Sequence, residues 1–318
     1  KKTFEHIKKI KPSKLFLILD GPRKNNKQDK IRCLKVKKIV QDINWDCKLY
    51  RNFSKENLGL KNRFFTGLDW VFNNTNEAII LEDDCLPHKD FFYFCEAMLK
   101  KYKNSDRVKF ITGNNFQNSN EIEVDEDYYF SKYSHIWGWA TWKKTWTDVK
   151  REDVFWKNKI INSEFEMMKS SPKEKKYWKN MYYSVLNNKL NSWAIYLLFS
   201  IWNNKGLTVT PKINLIKNLG LSSGTNTKNL DIKLEISNKS LNKPLKHPKK
   251  IKVNFKKDEK LNSIFEFSKD LTDKINTNFK SKVIILPDDD IPENEKNFRR
   301  KIKKKTVVEK STDTNTSN

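Results

Sequence analysis

The run Ala78-Ile79-Ile80-Leu81-Glu82-Asp83-Asp84-Cys85-Leu86-Pro87 decides how this chain is read. Four apolar residues in succession mark a strand buried on both faces. The three acids then stand at its C-terminal end, and a helix-like stretch starts at Asp90. In open α/β sheets, ligands bind beyond the carboxyl ends of the strands. Carboxylates at such a place suit a hard divalent ion, Mn²⁺ or Mg²⁺, whose other positions go to water and substrate phosphates. An isolated acidic triplet more often reads as a polar strand exit. Here the apolar strand before it, and a second strand-end acid, tip the reading toward a site.

That second acid is Asp20. It follows the apolar run Leu15-Phe16-Leu17-Ile18-Leu19 and opens the turn signal Asp20-Gly21-Pro22. Helical periodicity is expected over 3–10, 31–42, 60–73 and 91–102. Further strands are expected at 47–50 and 108–112, the latter closed by Gly113-Asn114-Asn115. Strands alternating with helices predict an α/β fold with a mostly parallel sheet flanked by helices.

From Tyr128 the chain becomes aromatic, most densely at His135-Ile136-Trp137-Gly138-Trp139-Ala140-Thr141-Trp142. Such a cluster reads either as core or as a sugar-binding face, since Trp and Tyr pack on sugar rings while their N–H and O–H groups bind hydroxyls. Residues 177–202 are expected to form one or two helices, 207–211 a strand and 264–279 a helix. Beyond 230 the chain is rich in Lys, Asn and Asp. The expected organisation is one domain over 1–230 and a Lys-rich extension over 231–318, partly disordered toward its end.

The 318 residues carry a formal charge of +25, with a pI near 9.7. A basic balance draws phosphate-rich partners. The Lys residues are spread along the whole chain, so no specific nucleic-acid footprint is expected. The basic tail reads as a solvated end, or more sharply as a peripheral contact with an anionic membrane. Cys33, Cys47, Cys85 and Cys95 form no CxxC pair, which favours a reducing compartment. No run is long enough to cross a bilayer and no signal peptide is seen, so a cytoplasmic location is expected, with contact at the inner membrane face as its variant. The first residues read as the middle of a helix, and a preceding piece is expected.

Together, Ile79 to Pro87 with Asp90-Phe91-Phe92-Tyr93-Phe94, Asn57-Leu58-Gly59, Gly67 to Phe72, and His135 to Trp142 resemble the GT-A glycosyltransferases, the nucleotide-diphosphosugar transferases. The triplet is similar to the Glu-Asp-Asp metal motif of the N-acetylglucosaminyltransferase that starts complex N-glycans, and the whole pattern to a bacterial group of such enzymes. The resemblance covers about residues 1 to 230. It implies a Rossmann-like GT-A domain. Such an enzyme transfers a sugar from a nucleotide-diphosphosugar to a glycan or lipid-linked acceptor, as in surface polysaccharide synthesis. It further implies that Asp84 ligates Mn²⁺ or Mg²⁺ and that Glu82 and Asp83 bind the donor's sugar and ribose. Asp20 would meet the base and Arg63 the nucleotide. His135, Trp137, Gly138, Trp139 and Trp193 would lie on the acceptor and sugar side.

Three departures accompany it. The strand expected to open the nucleotide fold would precede Lys1. The carboxylate base of an inverting transferase is expected after Trp193, where Ala194 stands; Asp148 and Asp153 are weak substitutes. A Thr-His-Thr segment of the relatives is matched by Thr225-Asn226-Thr227. A non-catalytic nucleotide-sugar or carbohydrate-binding relative is therefore the alternative.

Overall fold

A computed structural model describes residues 1–117, 125–161, 171–187, 190, 192–221 and 235–266. Thr225-Asn226-Thr227, residues 267–279 of the helix expected at 264–279, and the C-terminal tail lie outside the described residues.

The chain is mixed α/β. It begins with α1 (Lys2–Ile10), whose C-cap Lys11 is left-handed, and passes into β1 (Lys14–Leu19). Next come α2 (Lys27–Ile39) and β2 (Lys48–Phe53), which pairs in parallel with β1 in a two-stranded sheet. Asn26 caps α2 by accepting the Asp29 N–H (3.0 Å), so this helix starts four residues before its expected position. After α3 (Leu60–Asn74) come β3 (Glu77–Ile80), β4 (Cys85–Pro87), α4 (Phe91–Tyr102) and β5 (Val108–Thr112).

The aromatic stretch supplies two strands that the alternation of apolar runs did not reveal, β6 (Tyr128–Ser131) and β7 (Trp139–Trp142). Short helices α5 (Lys143–Thr147) and α6 (Asp153–Ile161) follow, then α7 (Pro172–Leu186) and α8 (Ala194–Asn203). Ser171 caps α7 and Pro172 opens it, the sequence grammar of a helix start. The chain continues through β8 (Leu207–Pro211) and β9 (Ile216–Asn218) to α9 (Phe255–Glu266).

The main sheet has five strands in the order β3-β7-β5-β8-β6, and β4 pairs with β9. The expected parallel character holds for β1–β2 and β5–β8. It fails at β7 and β6, which enter antiparallel to β3, β5 and β8, making the sheet mixed. Because β7 opposes both β3 and β5, those two run the same way. Their C-terminal ends share one edge with the start of β7.

Alternation along the strands feeds two cores. Phe110 and Trp139 join Trp146, Trp156, Trp193 and Trp202 in one. Ile111, Ala140 and Trp142 join Phe91, Phe94, Met98 and Ile216 in the other. The edge strands differ: β1 and β3 are apolar yet only half-buried, whereas β5, β7 and β8 are buried throughout. Helix α3 packs over β1, with Trp70 edge-on to Phe16 at 5.5 Å.

Residues 235–266, expected to belong to a loose extension, pack into the domain. Leu241, Leu245 and Val253 enter the second core and Leu261 the first. Buried acids tie the segment down. Asp90 accepts the Leu241 N–H, and Asp127 accepts from the backbone and side chain of Asn242 and from the Lys246 N–H. Asp258 on α9 accepts from Ser131 and the Lys132 N–H. The expected boundary at 230 therefore does not separate packed from unpacked chain among the described residues. Among those residues no helix is long and apolar enough to cross a membrane.

Candidate functional site

The acidic triplet sits between β3 and β4, at the edge where β3 and β5 end. Its charges are crowded. Glu82 is largely shielded from solvent; among the described residues its Oε1 has no hydrogen-bond partner, and burial, with the charges of Asp84 and Asp83, pushes its pKa up to about 8. Asp84 is raised for the same reasons, burial first and then Asp83, against the lowering effect of bonds from Cys85 and Asn218. Asp83 is exposed, and its carbonyl accepts from Thr3 Oγ1 at the start of α1 (2.7 Å). Three carboxylates thus share one short loop, and two of them resist ionisation.

The loop after β9 braces this group, a contribution that sequence reading missed. The Leu219 N–H donates to the Asp84 carbonyl (2.8 Å). A Cβ on Gly220 would come within 2.5 Å of Asp84 Oδ2, so glycine is what lets the backbone lie against that carboxylate. No signal local to 216–220 announces a partner more than a hundred residues earlier.

Asp20 is differently employed. Its Oδ1 accepts the Gly21 and Leu58 N–H groups (2.9 Å each). Its Oδ2 accepts Asn57 Nδ2 (2.9 Å) and the Gly59 N–H (3.2 Å). Those four bonds use the acceptor sites of a carboxylate. Asp20 ties the end of β1 to the loop that starts α3, and among the described residues no hydrogen bond joins it to Glu82–Asp84. Arg63, on α3, is 7% exposed. It donates to the Asn52 carbonyl and side-chain oxygen, while its Nε lacks a partner among the described residues. Burial lowers its pKa and the charge of Asp20 raises it. A buried guanidinium without a bonded carboxylate is a place where an anion is favoured.

The aromatic cluster divides. Trp139 and Trp193 are core: Trp139 stacks on Phe110 at 4.9 Å, and Trp193 on Phe64 at 4.2 Å and on Trp139 at 5.7 Å. Their faces are occupied by packing. His135 lies edge-on to Phe116 at 4.6 Å, and burial pushes its pKa down to about 3, so the ring is neutral near pH 7. Trp137 is half-buried against Phe116, and its backbone N–H donates to Asn114 Oδ1 (3.0 Å). Asn114 Nδ2, buried at the end of β5, has no partner among the described residues. Gly138 has φ +71°, and a Cβ there would meet Ile216 at 2.5 Å. Its carbonyl accepts the Gly113 N–H (2.8 Å), fastening the loop to the end of β5.

Of the two substitute bases, Asp148 ends α5. Asp153 starts α6 and accepts from Tyr196 Oη (2.6 Å), which also receives a hydrogen bond from Lys61 Nζ (2.9 Å). Asp153 thereby connects to the first turn of α3. Ala194 is the first residue of α8.

Among the described residues no group of three or more His, Cys, Asp or Glu side chains is arranged to hold a metal. Carboxylates are the side chains that a hard cation takes while keeping water and substrate oxygens. No protein-family model matches the chain, and no curated protein matches it.

Proposed function

We propose that the chain adopts a GT-A arrangement and transfers a sugar from a nucleotide-diphosphosugar to a hydroxyl of a glycan or lipid-linked acceptor. The observation that carries this reading is the uncompensated acidic group at the end of β3, with the pKa of Glu82 raised and its Oε1 unpartnered. Asp84, braced by Gly220, would hold Mn²⁺ or Mg²⁺. The ion would offset charge on the leaving diphosphate. Glu82 and Asp83 would accept hydrogen bonds from donor hydroxyls. Arg63 offers a buried cation, and Asn114 Nδ2 a buried donor, to polar atoms of a substrate. Half-buried Trp137 offers the apolar face for a sugar that Trp139 and Trp193 do not.

Isothermal titration with UDP and GDP, with and without Mn²⁺, tests the proposal. Metal-dependent nucleotide binding is expected, weakened at least tenfold in Asp84→Ala, a loss of about 1.4 kcal/mol or more. If no nucleotide binds, or Asp84→Ala binds and turns over like wild type, the reading is wrong. One observation favours a non-catalytic relative: Ala194 opens α8 where a carboxylate base is expected. Donor hydrolysis or transfer by the protein dismisses that second reading; metal-dependent binding without turnover supports it.

A further inference from the structure

Helix α2 contributes no buried residue, although it links two paired strands. Its most exposed apolar side chains are Leu34, at 66%, and Ile31, at 44%. Val36, at 40%, stands on the opposite side of the helix. Lys27, Ile31, Leu34 and Lys38 follow the spacing i, i+4, i+7, i+11, which places them in one line along a helix. Lys30 and Lys35 flank that line, and all six side chains are exposed. The only acid of α2, Asp29, falls on the far side by the same geometry. It is already bonded to Arg23 (2.6 Å) and to the Asn26 cap.

We infer that this stripe is a docking surface for an anionic lipid bilayer. Two apolar side chains bracketed by four lysines match the boundary between headgroups and acyl chains. Ile31 and Leu34 enter the apolar layer, and the lysine stems snorkel so that their ammonium groups meet lipid phosphates. Charge complementarity selects this occupant: no carboxylate of α2 shares the face, and the chain carries +25 overall. A second copy of the chain is disfavoured because it would set the same lysines against each other in an isologous contact. The inference is independent of the proposed activity.

Co-sedimentation of the whole chain with vesicles tests it. Phosphatidylcholine vesicles containing about 30% phosphatidylglycerol are compared with phosphatidylcholine alone, at about 0.1 M and about 0.5 M salt. Binding is expected only to the anionic vesicles, and weaker at high salt. Each of Lys27→Gln and Lys38→Gln should lower partitioning about fivefold, and Leu34→Gln about tenfold. These positions are exposed, so far-UV circular dichroism should be unchanged. Equal partitioning of wild type and the Lys27→Gln/Leu34→Gln/Lys38→Gln variant would show that other basic segments bind the lipid, and overturns the assignment to α2. Equal binding to neutral vesicles overturns it as well. So does a concentration-dependent dimer in light scattering that Leu34→Gln abolishes.

Discussion

Single residues at the strand-end edge are held by contacts that a substitution would expose. Gly138 combines two constraints, a left-handed backbone and a lack of room for a Cβ beside Ile216 and Leu81. Gly138→Ala should cost about 2–4 kcal/mol from the strained φ and overpacking together, read as a lower urea midpoint with an unchanged slope. An unchanged midpoint would show that the loop moves freely. Much at this scale was legible in the sequence. Glu82-Asp83-Asp84 announced itself through the apolar run before it, and the glycine between Trp137 and Trp139 through its neighbours. What was not legible was how each side chain is used. Asp20 shared the strand-end signature of Asp84, but its oxygens are filled by the backbone of 58–59 and by Asn57. Trp193 shared the composition of Trp137, but its ring is sandwiched between Phe64 and Trp139. Both distinctions depend on partners from distant parts of the chain.

At the level of elements, periodicity performed well where apolar residues were continuous. β1, β3, β5 and β8 lie within a residue or so of their expected positions. It failed at β6 and β7, whose Tyr, Trp, Ala and Thr residues are buried on both faces and carry no alternation. It failed again at 235–255, where Leu241, Leu245 and Val253 are scattered among Lys and Asn. Polar anchoring positions that segment more than pattern does. Asp127 is wholly buried and holds it through Asn242 and the Lys246 N–H, while Lys212 supplies the opposing charge at 2.8 Å. Asp127→Ala leaves the half-buried Lys212 ammonium and several N–H groups without their carboxylate partner. A loss of about 3 kcal/mol is expected in urea denaturation, with faster amide exchange at 242 and 246. A loss below about 0.5 kcal/mol would mean that water replaces the carboxylate at little cost.

Over the whole molecule, the C-terminal segment is clasped by two carboxylates whose linkage to pH has opposite sign. Burial pushes the Asp258 pKa up to about 6, against the bonds from Lys132 and Ser131. Burial also raises Asp127, but the bonds from Lys212, Lys246 and Asn242 outweigh it and hold the group below the usual carboxylate range. For Asp258 the folded state binds its proton more tightly than the unfolded state. Its ionisation therefore penalises folding above about pH 6, and the penalty is relieved as pH falls from 6 toward 4. For Asp127 the unfolded state binds the proton more tightly. Its contribution is fully present above about pH 4 and is lost only as pH falls below that. Each linkage disappears in the matching asparagine variant. Relative to Asp258→Asn, wild type should gain on the order of 2 kcal/mol between pH 7.5 and pH 4.5. Relative to Asp127→Asn, its advantage should stay level over that range and shrink below pH 4. Thermal unfolding of the three proteins across pH separates these outcomes. Parallel curves for wild type and Asp258→Asn would show that the Lys132 ammonium compensates Asp258 fully, and that the clasp carries no buried uncompensated acid.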